Sequence, residues 1–155
     1  MSKNIPLYGQ NNDGGLLGAL NGAFKMKKIT IAVTTTGNAD DAIVGSVPAY
    51  ALPIFSVVHN SGSVALAGNA CVLDMSDIAA TYHVTGEMNA LAAGAKVTYF
   101  VDTDAGVAES NAAVEEIRID GGSGLVTGSD STTIDVYLFY IDGAGLASMA
   151  PQGVE

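Results

Sequence analysis

Carboxylates and imidazoles are the residues to weigh first. The 155-residue chain holds 16 acids and two histidines, His59 and His83. A catalytic metal usually takes two or three imidazoles together with a carboxylate. Asp74, Asp77 or Glu87 would complete such a set only if their strands lay beside a histidine. The plainer reading is two packed or solvent-facing rings. "DTDAG" (102–106) opens like a calcium loop, with carboxylates two apart, but lacks the later ligands and the bidentate glutamate of an EF-hand. In "DGGSGLVTGSDS" (120–131), Asp120 and Asp130 are hard oxygen donors for a looser calcium site, and a solvated turn is again the plainer reading. Sixteen acids always offer pairs of the kind that glycoside hydrolysis uses. The apparatus around them is absent: there is no Trp, and Arg118 is the single arginine.

Nucleophiles and phosphate cradles fare no better. No nucleophile elbow, phosphate loop or dinucleotide fingerprint occurs. The glycines of "GGSGLVTG" lie between strand-like runs with no helix to follow, so turn chemistry explains them. Cys71 is the only cysteine, which excludes an intrachain disulfide and a thiolate zinc cluster; its flanks "NACVLDM" read as an apolar strand around an inert buried thiol. The sequence therefore predicts no catalytic, cofactor-binding or metal-ligating residue, and no enzyme.

The elements that would position any site are strands. "KKITIAVTTT" alternates with a period of two in β-branched residues, and "TTIDVYLFYID" (132–142) sets Ile134, Val136, Leu138 and Tyr140 against Asp135, Tyr137, Phe139 and Ile141. Shorter candidates are "IFSVVH" (54–59), "ACVLDM" (70–75), "ATYHVTG" (80–86), "KVTYFVDT" (96–103) and "VEEIRID" (114–120). "LVTG" (125–128) follows the last of these as a hairpin or long loop, and "GNADDAIVGSVPAYALP", with two prolines, reads as loop. "GEMNALAAGA" (86–95) and "AESNAAVEE" (108–116) have helix formers enough for a turn or two. The expectation is an all-β chain: a β-sandwich or jelly roll of about seven to eight short, mostly antiparallel strands. From alternation, its core takes Ile29, Ile31, Val57, Val72, Val97, Phe100, Ile117, Ile134, Val136 and Leu138. The organisation expected is an extended N-terminal arm (1–26), a sandwich domain (27–145) and a C-terminal tail (146–155).

Charge is unevenly placed. Lys3, Lys25, Lys27 and Lys28 fall in the first 28 positions against Asp13 alone, whereas from residue 29 two basic residues face 15 acids, a local net of −13 within an overall −10. Such a body repels phosphate backbones, so nucleic acid is not an expected partner. No 18-residue apolar run exists to cross a membrane as a helix, and the glycine-rich start does not read as a signal segment, so the chain is expected to work where it is made.

The opening "MSKNIPLYGQNNDGGLLGALNGAF" fits none of this. Gly9, Gly14, Gly15, Gly18 and Gly22 make it costly to order alone. Yet Ile5, Pro6, Leu7, Tyr8, Leu16, Leu17, Leu20 and Phe24 are more apolar surface than a solvated tail normally carries. Laid along a partner, those side chains bury area at roughly 25 cal/mol per Å².

One passage has a familiar order. After the β-branched strand and an acidic loop comes "AIVGSVPAYALPIFSVVHNSG", then a small-residue turn and "ACVLDM". With Val44, Gly45, Val47, Pro48 and Ala51, it resembles a stretch of tailed-phage virion proteins in which an apolar–Gly–x–apolar–Pro segment feeds a strand. "STTIDVYLFYIDG" is similar to their closing strand, and "MSKNIPLYGQNNDGG" to their extended N-terminal arm. The family it resembles is that of the capsid decoration, or cement, proteins of tailed bacteriophages, and the resemblance covers residues 28 to 143. The resemblance implies a non-enzymatic virion protein, made in the host cytoplasm. It would bind the outer surface of an assembled capsid and stabilise contacts between capsomers. Its partners would be the major capsid protein and neighbouring copies, a trimer suiting the exposed apolar strand ends. The other reading left open is a carbohydrate- or calcium-binding sandwich of a fibre or cell-surface protein.

Overall fold

A computed structural model describes residues 23–37, 41–67, 71–76, 81–88, 90–101, 114–121 and 126–143. Within them the chain is all-β and builds a sandwich. Its strands are β1 (Phe24–Val33), β2 (Ile43–Val47), β3 (Ala51–Asn60), β4 (Leu66–Ala67), β5 (Val72–Ser76), β6 (Thr81–His83), β7 (Lys96–Phe100), β8 (Glu115–Asp120), β9 (Val126–Thr127) and β10 (Thr132–Asp142). A front sheet has the order β1-β10-β3-β7, a back sheet the order β2-β8-β5-β6, and β4 with β9 forms a small ribbon. All of these pairings are antiparallel.

Alternation makes the layers. In β10 the inward residues Ile134, Val136 and Leu138 have no solvent exposure, and β10 pairs with β1 on one side and β3 on the other, so it is the spine of the front sheet. Ile29, Ile31 and Val33 of β1 face the same way. From the back sheet come Leu73, Met75, Ile117 and Ile119, and all of these belong to one continuous core. Gly45 is where the two layers come close: a Cβ added there would stand 3.1 Å from the Ile29 side chain. Ser56 turns a polar group into this core and donates to the Val84 carbonyl across the layers, which satisfies its hydroxyl.

Several expectations are corrected. The stretch read as one loop contains β2 and the start of β3, because its two prolines sit where a ladder tolerates them. Pro48 lies in the turn between those strands, closed by Ala51 N donating to Pro48 O at 3.2 Å, and Pro53 lies at a β-bulge, where Ile54 is the extra residue opposite β10. The described part of 86–95 is not helical. Its backbone is spent outward, with Met88 N donating to Cys71 O, Leu91 O accepting from Leu66 N, and Ala95 O accepting from Asn60 N. Of 108–116, the described end 114–116 leads into β8 as a strand, and 108–113 lies outside the described residues. β9 does not form a hairpin with β8 but pairs with β4.

The core list is corrected at three positions. Val57 and Val72 are half-buried on outer faces, with Val58 and Leu73 turned inward instead. Phe100 is 78% exposed. Its register partner Phe55 is outward too, on the same parity as Thr98 and Lys96.

Asn60 ties the loops to the sandwich. Fully buried, it donates from Nδ2 to the carbonyls of Val64 (2.8 Å) and Leu91 (3.1 Å), and its Oδ1 accepts from the Thr132 hydroxyl at 2.9 Å. One side chain thus joins the end of β3, the segment before β7 and the first residue of β10.

Candidate functional site

Two outer faces are available, and they differ in chemistry. The back sheet's is mostly polar, although Ile43, opposite Arg118 on the edge strand β2, is 56% exposed. Asp74 and His83 are directly opposite in the β5–β6 ladder, and Asp74 Oδ1 lies 2.6 Å from His83 Nδ1. Asp74 is buried, and burial pushes its carboxyl up to about 6; Asp120 adds to the rise while the bond to His83 opposes it. Arg118, across from Asp74 in the β5–β8 ladder, reaches along its own strand to Glu116, 2.5 Å from Nη2. Asp74 and His83 hold the short strand β6 against β5, which is a structural use. Of the carboxylates weighed beside the histidines, the fold brings Asp74 to His83. His59 stands on β3 in the other sheet, opposite Asp135 and Lys96. Asp77 lies outside the described residues. Among the described residues no three His, Cys, Asp or Glu side chains are grouped to hold a metal. Asp120 and Asp130 are exposed at the end of β8 and in the turn before β10.

The front sheet's outer face is divided. One register row runs Met26, Phe139, Phe55, Phe100 across all four strands. The Phe55 and Phe139 rings are stacked, 4.5 Å between centroids and 14° between planes, and Phe100 leans on Phe55 at 6.4 Å. The next row toward the end of the sheet is Phe24, Ile141 and Leu52. Two residues away in the other direction the face becomes charged. Lys28 Nζ lies 3.0 Å from Asp135 Oδ1 and 5.5 Å from the centre of the Tyr137 ring, and Thr30 donates to Asp135 at 2.7 Å. Burial pushes the Asp135 carboxyl up, but the bonds from Thr30 and Lys28 outweigh it and hold the group below the ordinary carboxylate range.

Tyr50 stands at the apolar end. It takes φ 61° at the third position of the turn closed by Ala51, a conformation that glycine normally supplies, and its backbone carbonyl accepts from Gly143 N at 2.9 Å. The side chain is 42% exposed. A bulky residue kept where glycine would be relaxed is a place to look for function.

Of the arm residues, Phe24 is the first residue of β1 and is half exposed on this apolar face. Ile5, Pro6, Leu7, Tyr8, Leu16, Leu17 and Leu20 lie outside the described residues. The aromatic row was missed by the sequence reading, although its signal was there. Val97 and Phe100 have opposite parity on one strand, so both cannot face the core.

No protein-family model matches the sequence, and no curated protein does. Comparison with solved structures finds a shared fold. A chain of the capsid of Ralstonia phage GP4 superposes with a TM-score of 0.51 at 17% identity, covering 79% of this chain and 86% of that one. A chain of the cyanophage Pam1 capsid asymmetric unit gives 0.44 at 17% identity, over 76% and 84%.

Proposed function

We propose that this protein is a non-enzymatic component of a tailed-phage virion that binds the outer surface of the assembled capsid and stabilises contacts between capsomers. The observation that carries the reading is the fold it shares with a chain of the Ralstonia phage GP4 capsid over most of both lengths. The polar groups that sequence singled out fit a structural role, since His83 and Asp74 fasten two strands to each other. The residues before β1, 1–22, act as the arm that reaches a partner subunit, capsid protein or neighbouring copy. Several arms engaged at once turn modest individual contacts into avidity. The test is co-sedimentation of the purified protein with empty shells assembled from the major capsid protein of its own phage. Saturable binding, and shells that resist heat better when decorated, are expected. Failure to bind shells, with saturable binding to a glycan or to calcium instead, would replace this reading with that of a ligand-binding sandwich.

A further inference from the structure

We propose that the aromatic end of the front sheet is a docking surface for the N-terminal segment, residues 5–20, of a neighbouring copy. The proposal rests on the capsid-bound reading, in which arms pass between subunits, and names the surface that receives them. The floor is ready-made. The stacked Phe55 and Phe139 rings, with Phe100 tilted beside them, form an apolar row whose rings already hold one another in place. The patch is open to solvent, Phe100 being 78% exposed, Met26 53% and Phe24 50%.

Size selects the occupant. Four strands set about 4.8 Å apart, with two outward rows about 7 Å apart, give an apolar area of roughly 200 Å². A stable interface between two folded bodies buries about 800 Å² on each. The patch is too small to join two sandwiches face to face, and large enough for one extended apolar segment. Residues 5–20 are such a segment, with Ile5, Leu7 and Tyr8 in one group and Leu16, Leu17 and Leu20 in another. Reach is sufficient as well. The 22 residues before the first described position span up to about 70 Å when extended. A folded body of this size has a radius of gyration near 14 Å, so the arm can cross a whole neighbour.

The test uses the full chain with a photoreactive benzoylphenylalanine in place of Phe100, mixed with an equal amount of 15N-labelled full chain. The mixture is irradiated free at high concentration and again on shells. Mass spectrometry of the tryptic products should find the peptide 4–25 joined to β7, with the captured peptide carrying the heavy label in about half of the cross-links formed between chains. Met26→Glu, at the β1 end of the row, should lower that capture at least about tenfold, and the same reagent at Val114, just before β8, should not capture the arm. Capture of light peptide alone would mean that each arm folds onto its own body and would overturn the proposal. So would cross-links to capsid protein or to the sandwich in place of the arm, or none. Because shell binding is scored separately, arm capture in a protein that ignores shells would leave this inference standing and remove the capsid reading.

Discussion

The two outer faces of one sandwich have opposite contents. On the back sheet, polar and charged side chains answer one another along and across strands: Asp74 with His83, Glu116 with Arg118. On the front sheet the charges are confined to one end, around Lys28 and Asp135, and the other end is given to Met26, Phe139, Phe55 and Phe100. Apart from Ile43 on its edge strand, a back face so composed is at ease in water. The aromatic end of the front face is not, and exposed apolar area beside a polar rim marks a contact surface. The inward residues hold the fold, and the front face is free to be spent on a partner.

Substitutions can break that division of labour, and the largest effect belongs to the core. Leu138→Ala, at a fully buried position on the spine strand, should cost about 2–5 kcal/mol by chemical denaturation. An unchanged midpoint would mean that β10 presents its other face. Next comes Asn60→Ala, which strands two carbonyls and the Thr132 hydroxyl and should cost about 2–4 kcal/mol. A loss no greater than that of an exposed polar residue would show that water replaces the amide.

The back face should respond to pH. Asp74 sits at about 6 in the folded chain against an ordinary 3.8, so the native state holds the proton more tightly than the unfolded chain does. That contribution is complete below the unfolded value and is lost as pH rises through the folded one. Between about pH 7 and about pH 5 it should add about 1 kcal/mol of stability, and Asp74→Asn should abolish this part of the dependence. An identical pH profile in the variant would contradict it. The smallest effect on stability is expected at the aromatic row. Phe100→Ser should change it by no more than about 0.5 kcal/mol, since the ring is mostly in water, yet it should weaken assembly contacts. A large loss of stability would return Phe100 to the core.

How much of this was legible follows from parity and partners. In β10 the inward positions Ile134, Val136, Leu138 and Tyr140 are aliphatic or aromatic, and this part of the strand could be read residue by residue. In β3 the inward positions include Ser56 and Asn60, whose polar groups are satisfied by carbonyls from distant loops, so alternation named Val57 where Val58 is buried. The bulge at Ile54 shifts the register once more. Pairing of β9 with β4 joins segments about 60 residues apart, which no local pattern encodes. As for the site, Asp74 and His83 were nameable from their types, but only the β5–β6 register makes them neighbours. The aromatic row needs three pairings at once, between strands far apart in sequence.

The central claim is that the sandwich is a finished body and that binding belongs to the arm and the shell. It is tested most directly by deleting residues 1–22, which leaves the buried Ala23 and all of β1 in place, and measuring both the thermal unfolding of the free protein and its affinity for empty shells. The account predicts an unchanged melting temperature and shell binding weakened by at least about tenfold, or 1.4 kcal/mol. A truncated protein that binds shells as tightly as the full chain would contradict it, and one that fails to fold would place those residues in the core.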